Sequence, residues 1–162
     1  MNKTALARLL LVSGTIVIAD QVTKYIIKTN LALYEQIAVI DNFFNITFIF
    51  NPGGAFGFFA DQPLVVRKFI FLFLSSIVAV FVLWFYQRCA KEYVFLSYGL
   101  ALIFGGAVGN LIDRFRFGKV IDFLDFYVGS AHWPAFNIAD SAISVGMGIL
   151  MYHILFNKVP DF

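Results

Sequence analysis

The run from Phe69 to Tyr86 is apolar but for Ser75 and Ser76 and contains no charged side chain, which limits what this chain can become. A helix needs about 20 such residues to cross the hydrocarbon of a bilayer. With Pro63 just ahead of it as a start signal, the run is expected to form a span over about 64–86. Three further runs have the same character, at about 6–27, 93–112 and 136–156. Four spans take up half of the 162 residues, so no separate soluble domain fits, and the chain is read as a single membrane domain over 1–162. Composition agrees, because 60% hydrophobic residues, 14% charged residues and 21 Phe are not the make-up of a water-soluble domain of this size. Lys3 and Arg8 precede an apolar stretch as they would in a signal peptide. No small-x-small cleavage pattern follows it, so the first run reads as an uncleaved span.

Other function classes drop out on the same evidence. The net charge is +2, and the 12 Lys and Arg are scattered between apolar runs, so no basic stripe is available to follow a nucleic acid. The single cysteine, Cys89, has no partner for a disulfide and no His cluster near it, and it reads as a helix-end residue. Neither a metal nor any other cofactor is expected.

An even number of spans leaves both termini on one side of the membrane. Basic residues divide evenly between the two sides, so the positive-inside rule does not decide. The basic flank of the first helix, Lys3 and Arg8, places the termini in the cytoplasm. Between the first two spans, Phe44 to Asn51 (FNITFIFN) alternates with period two and reads as a strand whose apolar face is Ile46, Phe48 and Phe50. Ile37 to Ile40 is its expected partner, Asn51-Pro52-Gly53-Gly54 its closing turn, and Ala55 to Ala60 an apolar continuation. A small sheet over about 34–60 is one reading; a loop lying among the headgroups is the other. Residues 118–135, with Gly118, Gly129 and Pro134 among aromatics, read as an interfacial flap.

Polar groups inside or at the edge of hydrocarbon are expensive, and here they collect at one end. Asp20 and Lys24 share a helix face, as do Asn110 and Arg114, with Asp113 next to them and Asn137 and Asp140 opening the fourth span. Asp122 and Asp125 lie on the expected flap. Two carboxylates held together at low dielectric cannot both ionise readily, which is the requirement of aspartic proteolysis. Asn137 is expected to cap the fourth helix, with Asp140 at its third position. On residues alone Asp20 and Lys24 also fit a structural ion pair, Asp125 a solvated residue, and His132 and His153 structural or interfacial roles. A proton-coupled transporter would use similar groups but spread through the membrane depth, which is not the pattern here.

Five blocks carry a resemblance. They are Asp20-Gln21-Val22-Thr23-Lys24, Asn51-Pro52-Gly53-Gly54-Ala55-Phe56-Gly57, Gly109-Asn110-Leu111-Ile112-Asp113-Arg114, Gly118-Lys119-Val120-Ile121-Asp122-Phe123, and Trp133-Pro134-Ala135-Phe136-Asn137-Ile138-Ala139-Asp140-Ser141. Taken in order, they resemble the bacterial lipoprotein signal peptidases, signal peptidase II. The resemblance implies a bundle of four transmembrane helices with an extracytoplasmic β-cradle, in the cytoplasmic (inner) membrane. It implies an aspartic endopeptidase that removes the signal peptide from diacylglyceryl-modified prolipoproteins at the outer face, in contact with membrane lipid. The dyad falls on Asp122 and Asp140. Asp20, Asn51, Asn110, Arg114 and Asn137 fall on supporting positions, and Lys24, Gly53 and Asp113 lie in the same blocks as further supporting or substrate-binding candidates. The chain is expected to act as a monomer.

Overall fold

The structure, a computed structural model, describes residues 1–53 and 63–156. Its order is α1 (Lys3–Asn30), β1 (Gln36–Ile40), β2 (Phe44–Asn51), α2 (Leu64–Cys89), α3 (Val94–Phe117), β3 (Val120–Val128), β4 (Ala131–His132) and α4 (Ile138–Leu155). All four helices are long and apolar enough to cross a membrane. The expected apolar continuation at Ala55 to Ala60 lies outside the described residues.

Glycine decides which helix is central. In α3, 61% of the most apolar window is buried, against 22% in each of the other three, and α3 packs on all of them. Its small residues form two faces. A methyl group added at Gly105 would come within 2.9 Å of Ser13 Cα, and one at Gly109 within 2.7 Å of Asp20 Oδ2, so this i, i+4 pair is where α1 approaches. Gly99 and Gly106 do the same toward α4, against Ile149 and the Ala139 carbonyl. Close approach of backbones replaces the hydrophobic drive that lipid cannot supply.

Both β-bearing connections, α1 to α2 and α3 to α4, leave the bundle at the end away from the termini, and their strands join into one antiparallel sheet, ordered β1-β2-β3-β4. The expected pairing of Ile37–Ile40 with the FNITFIFN strand is present: Ile37 faces Ile46 and Ala38 faces Asn45. Under the sheet, Phe48, Ile121 and Phe123 pack with Ile27 at the end of α1.

Within residues 118–135, expected as an interfacial flap, Val120–Val128 forms an interior strand between β2 and β4 and is buried over most of its length. The two glycines of this segment sit in turns. Gly118 (φ 68°) closes α3 with its N–H on the Arg114 carbonyl at 2.9 Å, and Gly129 (φ 61°) makes the β3–β4 turn. The strand escaped the period-two reading because it is covered on both faces and carries an aspartate on each. For the same reason the polar face of β2 is not solvated: Asn45 and Thr47 are buried.

Candidate active site

Asp122 projects from β3 and Asp140 from the first turn of α4, and both line one cavity of about 560 Å³. Asn51, Gly53, Asn110 and Arg114 line it too. Local structure explains each placement. Asp122 sits opposite Ile49, so Asn51, two residues along β2, lies diagonally across from it and donates Nδ2 to Asp122 Oδ2 at 3.0 Å. The Gly53 N–H returns to Asn51 Oδ1 at 3.0 Å, which fixes the orientation of that amide.

Asp140 belongs to a capping box. Asn137 Oδ1 accepts from the Asp140 N–H at 3.0 Å, and Asp140 Oδ2 accepts from the Asn137 N–H at 3.3 Å. Asn137 is fully buried and stands between the two carboxylates, its Nδ2 donating to Asp122 Oδ1 at 2.7 Å. Asn110 Nδ2 donates to Asp140 Oδ1, also at 2.7 Å. Each carboxylate therefore accepts from two donors, but among the described residues no cation is bonded to either.

The charges sit one layer deeper. Lys24 Nζ meets Asp20 Oδ2 at 2.8 Å, Asp113 Oδ2 at 2.9 Å and Asn110 Oδ1 at 3.0 Å, so its three protons have three acceptors in a buried setting. Asp20 Oδ1 also accepts the Ala139 N–H at 3.0 Å, which docks the start of α4 onto α1. Asp113 Oδ2 accepts the Ile121 N–H at 3.1 Å, which docks β3 onto α3. None of these three side chains lines the cavity. Through Asn110 the triad nonetheless sets which atom points at Asp140: with Lys24 on the Asn110 oxygen, the nitrogen must face the carboxylate.

Electrostatics separates Asp122 from an ordinary surface acid. At 3% exposure, desolvation pushes its carboxyl up, the negative charge of Asp140 pushes it further, and the two Asn donors only partly offset this, leaving it at about 7. Arg114 lies against the Phe71 ring, 5.5 Å from its centroid, and presents its charge to the cavity that holds both aspartates.

The expectation for Asp125 requires correction. The residue is not solvated; it is buried, with Oδ2 accepting from Asn45 Nδ2 at 3.0 Å, directly across the strands, and Oδ1 2.8 Å from His132 Nδ1. It does not line the cavity. Sequence reasoning passed over Gln21, whose Nε2 reaches Asp113 Oδ1 at 3.0 Å and the Gly109 carbonyl at 3.1 Å. Its position next to Asp20 in the first block was the available signal. The Trp133–Phe136 wall of the cavity was also unassigned. Among the described residues, no group of His, Cys, Asp and Glu is arranged to hold a metal ion.

Four apolar helices capped by a small sheet, with two carboxylates facing one cavity, define a polytopic membrane protein. Comparison with known proteins narrows that class. Residues 12–156 match the family described as Signal peptidase (SPase) II. A lipoprotein signal peptidase of Desulforapulum autotrophicum is 63% identical over 161 residues, covering 99% of each chain. One of Syntrophus aciditrophicus is 45% identical over 153 residues, covering 94% of this chain and 95% of the relative. A solved structure described as a bacterial membrane enzyme determined by the in meso method at 2.3 Å resolution superposes with a TM-score of 0.83 at 34% identity. That superposition covers 93% of this chain and 88% of the other. The chain belongs to the signal peptidase II family, and is thus an aspartic endopeptidase and a multi-pass bacterial membrane protein.

Proposed function

We propose that this chain removes the signal peptide from diacylglyceryl-modified prolipoproteins at the outer face of the cytoplasmic membrane, with Asp122 and Asp140 as the catalytic dyad. The observation that carries the reading is the pairing itself: two carboxylates share one cavity and one bridging amide, Asn137, and one of them is pushed up to about 7. Such a pair holds one proton near neutral pH. Asp140 takes a proton from water as the oxygen attacks the scissile carbonyl, while Asp122 gives its proton to the carbonyl oxygen. Collapse of the tetrahedral diol then breaks the C–N bond, with a proton passed to the leaving amine and the dyad restored to one proton. Asn51, Asn110 and Asn137 hold the carboxylates in place, Gly53 holds Asn51, and Lys24 with Asp20 and Asp113 forms the buried base of the site.

The cavity lies at the sheet end of the bundle, so with cytoplasmic termini it opens at the outer face, where a substrate can keep its acyl chains in the bilayer. Arg114 at the cavity suits a lipid or peptide carbonyl oxygen. The protein acts as a monomer, since one chain supplies both carboxylates and all their donors. The test is incubation of the purified protein with a prolipoprotein bearing the diacylglyceryl group and with the same protein lacking it. Cleavage of the modified form alone is expected; equal cleavage of both refutes the lipid requirement, and cleavage of neither refutes the activity.

A further inference from the structure

The cavity wall formed by Trp133, Pro134, Ala135 and Phe136 contains no acid, base or nucleophile, yet it runs beside both aspartates. It extends β4 along the outer edge of the sheet. The Trp133 N–H donates to the Phe126 carbonyl at 2.8 Å. Leu124 and Phe136 bond each other in both directions, at 2.8 and 3.1 Å, as an isolated antiparallel bridge. In an extended chain, neighbouring residues turn their backbone N–H and C=O to opposite sides. Trp133 and Phe136 both bond β3 although they are three residues apart, so a bulge breaks this alternation between them and leaves Ala135, which lines the cavity, out of the ladder. Among the described residues, none hydrogen-bonds to the Ala135 N–H or C=O.

This edge is also held at both ends. His132, at its start, is held by Asp125 at 2.8 Å and stacked on Tyr127 with ring centroids 4.7 Å apart. At its end, Asn137 caps the helix that carries Asp140. Pro134 removes a donor from the edge and keeps it short, which guards it against pairing with other sheets.

We propose that Ala135 is a substrate-docking residue whose backbone N–H and C=O take an extended stretch of the peptide as an added strand, delivering the next peptide bond to Asp122 and Asp140. The inference rests on the peptidase reading above and adds a requirement on the substrate. A helical segment satisfies its own backbone groups and has none to offer this edge, so the signal peptide must be unwound next to the scissile bond.

The test is a scan of a synthetic peptide carrying the diacylglyceryl cysteine, with one backbone amide at a time replaced by an ester, which removes an N–H without adding bulk. The expected result is a KM raised about 5- to 10-fold at the residue facing Ala135 and under about 2-fold at its two neighbours, as loss of a single hydrogen bond requires. Ala135→Pro, which lacks the N–H, should raise KM for the all-amide peptide, and an unchanged KM in folded Ala135→Pro protein counts against the docking edge. A flat ester profile with the all-amide peptide still cleaved overturns the docking edge and leaves the peptidase reading standing. Failure to cleave the all-amide peptide overturns both. Should Ala135→Pro not fold, the ester scan decides alone.

Discussion

Replacing Asp122 with Asn removes a carboxyl group that the folded protein holds at about 7, while an unfolded chain would release its proton near 3.8. Between these values the folded chain keeps a proton that the unfolded chain has lost, so unfolding releases it and the parent protein loses stability as pH rises from about 4 to about 7. Three pH units correspond to about 4 kcal/mol. The Asn side chain has no such titration. It does lose one acceptor, since an amide nitrogen must now face either Asn51 or Asn137, a pH-independent penalty of about 1–2 kcal/mol. The Asn variant should therefore be less stable than the parent at pH 4 and more stable at pH 8. The swing in relative Tm should be on the order of 10 °C for a chain of this length. Thermal unfolding of both proteins in the same detergent, followed across pH 4 to 8, measures it, and the variant should cleave nothing at any pH. A Tm difference that stays constant across this range would refute the buried, proton-holding account of Asp122, and full cleavage by the variant would refute its place in the dyad.

Asp140→Asn is expected to abolish cleavage with membrane insertion intact, assayed as loss of product from protein that still elutes as a folded species. Lys24→Met leaves Asp20 and Asp113 as buried, uncompensated anions and should lower stability by about 3–5 kcal/mol; an unchanged Tm would count against the triad. Asp125→Asn should retain most activity, because its partners are Asn45 and His132 and it does not line the cavity; loss as complete as that of Asp122→Asn would mean the wrong carboxylate was chosen. For orientation, Ser130→Cys, at an exposed turn, should react with a membrane-impermeant thiol reagent in intact cells, and Lys91→Cys, exposed at the other end, should not. Buried Cys89 adds no background in this assay, and the reverse labelling pattern would invert the topology.

Much of the fold was legible because hydropathy is a local property: an uncharged run such as Phe69–Tyr86 needs no partner to declare itself a span. The FNITFIFN alternation and the Asn137–Asp140 cap could likewise be read within a few residues of chain, and five short blocks sufficed for the family resemblance. What could not be read is what covers each surface. VIDFLDFYV lacks a polar face because both of its faces are covered in the folded protein, and no periodicity in its own residues reports that. The acids were divided in the same way. Asp20 and Asp113 turn to Lys24 beneath the site, Asp125 turns to Asn45 and His132, and only Asp122 and Asp140 face the common cavity. Residue type and spacing brought all five to one end of the bundle. The close approach of α3 at Gly105, Gly106 and Gly109, and the register of β3 on β2, decided which carboxylates found a cation or a histidine and which were left to face each other.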